Sequence, residues 1–170
     1  MTTLLDATIT TYGYASWATA KILDAAELLS PEQFTSPRPG GFGSVRDTLV
    51  HSMDAQASWI NVSQGTTDSI DLDPAAYPDL ATLRDGWAAI ESATEQCIAG
   101  LKDDDLAETV AVQNSSGVAR HAVRWQMLLH QANHAMQHRS EVAVFLTELG
   151  FSPGQLDLMR YLLENDLGAV

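Results

Sequence analysis

Cysteine is nearly absent from this sequence: Cys97 is the only one in 170 residues. No disulfide can form within the chain, and a reduced, cytoplasmic setting is expected. Basic residues are scarce too, with nine Lys and Arg against 22 Asp and Glu and a formal charge of −13. A chain so charged repels phosphate backbones and anionic headgroups, so nucleic acid is not an expected partner. Apolar runs fall far short of the roughly 20 residues that span a bilayer, and no membrane partner is expected. The opening MTTLLDATIT has neither the basic start nor the apolar stretch of a secretory signal. Internal repeats, low-complexity segments and a dividing linker are also missing. What is present is 45% hydrophobic and 18% charged residues, enough for one domain with a single core over residues 1–170.

The apolar residues recur mostly at helical spacing. Leu5, Ile9, Tyr12, Ile22, Leu23 and Ala26 mark a first helix between Thr3 and Leu29, after which Ser30 and Pro31 open a new turn. SPRPGGFG cannot continue a helix, and Ser44 then stands as an N-cap with Asp47 three residues on. The second helix carries Val45, Leu49, Met53, Gln56 and Ile60 on one stripe. IDLDPAAYPD reads as a loop. LATLRDGWAAIESATEQCIAGL reads as a third helix, slightly weakened by Gly86 and stopping near Gly100. Residues 109–120 alternate β-formers around an Asn-Ser-Ser-Gly turn, as in a short hairpin. A fourth long helix is predicted over about Ala122–Leu149 and closed by Gly150. Ser152 and Pro153 then open a short final helix. The expected fold is all-α, a four-helix bundle with a short C-terminal helix.

Three of the five histidines lie in LLHQANHAMQHRSE, at 130, 134 and 138. An advance of four residues is about 6 Å and 40°, so each i, i+4 pair can share one ion, whereas His130 and His138 are about 12 Å apart along the axis. At most one pair chelates. With Leu128 at zero on a wheel of about 100° per residue, Ala132, Ala135, Val142, Leu146 and Leu149 cluster near zero. His138 and His134 fall at about 280° and 240°, beside Met127 and Phe145, and His130 at about 200° among Gln137, Glu141 and Glu148. His134 and His138 are thus the inward pair, and His130 a rim or surface residue.

A pair needs further ligands. His51, at the margin of the apolar stripe of the second helix, is the stronger candidate. His121 reads better as a helix-end or loop histidine. Pairs of this spacing also occur in ordinary helices, and Ala135 after His134 rules out the HExxH pattern of zinc proteases. Asp47 could ligate or orient His51, but its place after Ser44 is explained by helix capping. Arg139, at about 20° in the middle of the apolar arc, needs a carboxylate or carbonyl partner if buried. A structural ion pair is favoured there over an anchor for an anionic cofactor.

GFGSVRDTLVHSMDAQASWI and LLHQANHAMQHRSEVAVFLTELG resemble the glycine-serine turn, the helix with its histidine and the histidine-pair helix of the DinB/YfiT-like metalloenzyme family, in helix order across essentially the whole chain. The resemblance implies a bundle of up-down-down-up arrangement, often a homodimer, and carries the family's three metal ligands onto His51, His134 and His138. It implies zinc, nickel or another divalent ion near the bundle's mouth, and in some relatives a low-molecular-weight thiol as cofactor. Three ligands with an open position make a catalytic arrangement. An ion there would present a thiolate to a small electrophile, in a thiol-dependent S-transferase or isomerase. The runner-up is a metal-dependent hydrolase acting on a small molecule. A non-catalytic metal-binding or interaction protein is the third reading, because the apolar arc of the histidine helix, about 200° wide, would serve both a core and a partner.

Overall fold

The computed structural model describes residues 2–66, 70–113 and 119–167. Four long helices carry it: α1 Leu4–Ala26, α3 Val45–Ser63, α4 Leu80–Ala99 and α6 Arg124–Glu148. Short helices α2 Pro31–Thr35, α5 Asp103–Leu106 and α7 Leu158–Glu164 join or follow them. Strands β1 Thr109–Gln113 and β2 Ala119–Val123 pair antiparallel, with Ala111 opposite His121.

Local chemistry sets the helix starts. Thr3 and Asp6 exchange side-chain-to-backbone hydrogen bonds of 3.2 and 2.9 Å, and Ser30 and Gln33 do the same at α2. At α3 the Ser44 hydroxyl accepts from the Asp47 N–H at 3.0 Å, and at α4 the Asp79 carboxylate accepts from Thr82. Each such bond satisfies a donor that the first turn would leave orphaned. α6 follows Val123, which has no polar side chain to cap it, and only the Gln126 side chain reaches back to accept from the Val123 N–H at 3.4 Å. Its first residue, Arg124, donates instead to the carbonyls of Ser63 and Asp105 and to the Glu108 carboxylate, fixing the start of α6 to the end of α3 and to α5.

Two buried clusters give the helix directions. One joins Ile22 and Leu23 of α1, Val45, Leu49 and Met53 of α3, Leu83 and Trp87 of α4, and Val142 and Leu146 of α6. The other joins Tyr12, Ile60 and Ile98, in the opposite parts of α1, α3 and α4, with Leu106 and Leu128.

 Ile98 and Ile60 therefore share one end of the bundle, and Leu83 and Val45 the other. So α1 and α6 run one way and α3 and α4 run back, which is the up-down-down-up arrangement.

The stripe expected on the second helix is buried throughout, at Val45, Leu49, Met53, Gln56 and Ile60. Two boundaries differ from expectation. The hairpin extends to Val123, so α6 begins at Arg124 rather than Ala122, and His121 sits on β2. The expected turn at residues 114–118 lies outside the described residues. The final helix starts at Leu158, capped by Asp157, because the Ser152 hydroxyl accepts from Gly154 and closes a local turn instead. Gly86 lets Tyr77 pack against α4, since a Cβ there would meet the Tyr77 ring at 2.8 Å. Among the described residues, no helix is long and apolar enough to cross a membrane.

Candidate metal centre

His51 lies in the second turn of α3, and His134 and His138 lie one turn apart in the middle of α6. These two helices pack directly against each other. Their crossing brings the three imidazoles together, with ring centroids 4.5 Å apart for His134 and His138, 4.7 Å for His51 and His138, and 5.3 Å for His51 and His134. One nitrogen from each ring lies within 4.8 Å of the other two. The Nε2 atoms of His134 and His138 are 3.3 Å apart. Bonds of 2.0–2.1 Å in a tetrahedron put ligand nitrogens about 3.3 Å from one another, so this pair already has the spacing that one ion requires. The Nε2 of His51 is buried and has no hydrogen-bond partner among the described residues. A buried polar atom without a partner is costly, and an ion at the centre of the cluster would remove that cost. The donor set fits a divalent ion.

Two neighbours complete the surroundings. Nδ1 of His138 lies 2.7 Å from Oε2 of Glu141, one turn further along α6. A ring N–H donated to that carboxylate fixes the tautomer and leaves the Nε2 lone pair facing the cluster. Phe42 stacks on His51 at 3.5 Å between centroids and meets His138 edge-on at 5.3 Å. Its loop is held by an Arg38 N–H donated to the Gly43 carbonyl and by the Phe42 N–H donated to the Thr48 hydroxyl. Gly41 takes φ +56°, and a Cβ on it would meet the Thr48 hydroxyl at 2.8 Å, Phe145 at 3.4 Å and the Glu141 carboxylate at 3.5 Å. Neither Glu141 nor Phe42 was singled out by sequence reasoning. The i+3 spacing from His138 is the signal for Glu141; an aromatic in a glycine-rich loop carries no periodic signal.

Burial pushes the His51 imidazole down to a pKa of about 4, with the neighbouring His138 and His134 adding to the shift. His134 is lowered by the same causes, burial first and then His138 and His130. Both rings are therefore neutral near pH 7, the form that ligates. Burial works against ionised Glu141, yet hydrogen bonds from His138 and Gln137 outweigh it and hold that carboxyl below its ordinary range.

The other candidates fall outside the cluster. His130 is exposed, with its ring edge-on to Trp59 at 4.5 Å, in keeping with a rim position. His121 is exposed on β2. Asp47 donates its N–H to the Ser44 hydroxyl, and its carboxylate accepts from the Arg46 guanidinium at 2.8 Å. Asp47 also lines a cavity of about 320 Å³ that opens beside His51 and Phe42, together with Asp54, Asp71 and Leu72. Arg139 is buried, but the expected ion pair is not found: among the described residues no carboxylate lies within 4 Å of it.

An up-down-down-up helical bundle with three histidines gathered between two of its helices defines the class, a bundle able to hold a metal ion. The DinB family model matches residues 1–166, and the chain belongs to the DinB family. It is 25% identical over 160 residues to Protein DinB of Bacillus subtilis (strain 168), covering 89% of this chain and 91% of that one. It is 28% identical over 125 residues to the uncharacterized protein YizA of the same organism, covering 74% and 77%. Among solved structures it is similar to YfiT from Bacillus subtilis, a probable metal-dependent hydrolase with an unusual four-helix bundle topology. That likeness has a TM-score of 0.61 and 16% identity over 85% of this chain and 89% of YfiT, and it speaks for the fold.

Proposed function

We propose that this protein is a divalent-metal enzyme whose ligands are His51, His134 and His138, and that it hydrolyses a small neutral or cationic substrate. The observation that carries the reading is the buried, unpartnered Nε2 of His51 beside the closely spaced Nε2 atoms of His134 and His138. Imidazole donors suit zinc or nickel. Bound there, such an ion would supply Lewis acidity, acidifying a water or polarising a carbonyl.

The chain's own residues do the rest. Glu141 keeps the proton of His138 on Nδ1 and so holds the ring in its ligating orientation. Phe42 covers the face of His51 and keeps water from that side. The cavity lined by Asp47, Asp54 and Asp71 is the way in beside His51, and its carboxylates favour a neutral or positively charged substrate over an anionic one. The same charge opposes anionic thiols, which ranks the thiol-dependent transfer implied by the family resemblance below hydrolysis. YfiT, similar in fold, is itself described as a probable metal-dependent hydrolase.

The test has two parts. Metal content of untagged protein should be stoichiometric in the wild type and lost in His51→Ala and His134→Ala. Turnover of ester and amide substrates, neutral and cationic, should then depend on that metal and proceed without thiol. Retention of the metal by both variants would overturn the ligand assignment. Turnover of an electrophilic aryl halide only with added thiol, and of no ester or amide, would replace hydrolysis by transfer.

A further inference from the structure

On the flank of α6 that faces α1, a cavity of about 580 Å³ opens between these two helices and the segment leading into α7. Its volume is that of a small-molecule site. It shares no lining residue with the histidine cluster or with the cavity beside it. Arg139 contributes to its wall and is only 5% exposed. A guanidinium carries five donors and a permanent charge, and burying it without a counter-charge is costly. Among the described residues no carboxylate pairs with it within 4 Å, and Glu91 acts on it only from further away. The Tyr14 ring lies 5.7 Å from the guanidinium carbon, and the Tyr14 hydroxyl offers an acceptor.

The hydroxyls of the wall have given their donors to backbone carbonyls, and the Asn133 amide has given one of its two. Thr11 donates to Ala7, Tyr14 to Leu156 and Ser140 to Met136, and the Asn133 amide donates to Leu129. Arg139 alone among these keeps charge-assisted donors to spare. Asp157 also lines the cavity, but its carboxylate accepts from the Met159 N–H at 2.7 Å as the cap of α7, and it makes multiply charged anions unwelcome. Leu129, Met136 and Leu158, each between two-fifths and half exposed, offer an apolar wall.

We infer that this cavity is a binding site for a small monocarboxylate, its head paired with the Arg139 guanidinium and its aliphatic body lying against Leu129, Met136 and Leu158. The site is separate from the proposed metal centre and does not depend on it. Hexanoate and its neutral isostere hexanamide are the probes, measured by calorimetric titration against the protein as purified. Hexanoate should bind and hexanamide should not. Arg139→Met, which keeps the length and removes the charge, should weaken hexanoate at least about tenfold without lowering the melting temperature, because it removes an uncompensated buried charge. Ala15→Leu, which narrows the cavity and leaves the charge in place, should also weaken hexanoate, and it decides the matter if Arg139→Met does not fold. Equal binding of the two probes, affinity unchanged in either folded variant, or no heat with millimolar hexanoate would overturn the inference.

Discussion

Glu141 is the residue whose replacement separates an organised metal centre from three histidines that happen to meet. Its Oε2 lies 2.7 Å from Nδ1 of His138, and its side chain is 28% exposed, so the contact is a partly shielded, charge-assisted hydrogen bond. Glu141→Gln keeps an acceptor at that distance and removes the charge. Glu141→Ala removes both and leaves a ring N–H in a side chain only 4% exposed. Partners of this kind are worth about 10-fold to 100-fold in metal affinity, or about 1.4–2.7 kcal/mol. The glutamine variant belongs near the lower figure, because orientation survives, and the alanine variant near the upper. Competition for zinc against a chromophoric chelator reads both values, with thermal melting of the metal-free proteins as a control on folding. If both variants hold zinc as tightly as the wild type while folding normally, His138 is not oriented through Glu141, and the reasoning about its tautomer fails.

Other consequences are as direct. Phe42→Ala removes the ring stacked on His51 from a residue that is 51% exposed, so zinc should pass to excess chelator faster while the melting temperature stays nearly unchanged; an unaltered transfer rate would show that the ring does not guard the site. Gly41→Ala forces a left-handed residue against Thr48 and Phe145, costing about 1–2 kcal/mol, which thermal or urea denaturation measures. Ser44→Ala deletes the cap on α3 and should cost about 1 kcal/mol, a fall of about 2–4 °C in melting temperature. Burial raises the Asp54 carboxyl pKa, outweighing the lowering by the Leu72 N–H, and the neighbouring Asp71 adds a little to the rise. Ionising Asp54 is thus harder in the folded chain than in the unfolded one, so its contribution to stability is present at low pH and lost as pH rises through the elevated value. Melting temperatures of Asp54→Asn and wild type should therefore diverge in the variant's favour as pH rises above the ordinary aspartate range of about 4, and a divergence of opposite sign would contradict this.

The long helices were legible because each combines a 3.6-residue apolar stripe with a strong local start, as Ser44 shows before Val45, Leu49 and Met53. The inward turn of His134 and His138 was legible for the same reason: the wheel sets them beside Met127 and Phe145, all four on the face that meets α3 or the core. What escaped lies where tertiary contacts decide. Glu141 sits on the polar side of the wheel, and only the crossing of α3 over α6 makes it a partner of a buried ring. Ser152 and Pro153 look like a helix start, yet the Ser152 side chain spends itself on Gly154, and Asp157 caps α7 instead. Arg139 was expected to find an ion pair. Its burial was legible from the apolar arc, whereas the lack of a carboxylate within ion-pair distance depends on how α1, with Tyr14, packs beside α6.

X-ray absorption at the metal edge of the zinc-loaded protein tests the central claim most directly. The arrangement of His51, His134 and His138 predicts three nitrogen ligands at about 2.0–2.1 Å with the outer-shell scattering of imidazole, and one imidazole fewer in His51→Ala. A shell of oxygen ligands, or a spectrum that His51→Ala leaves unchanged, would contradict it.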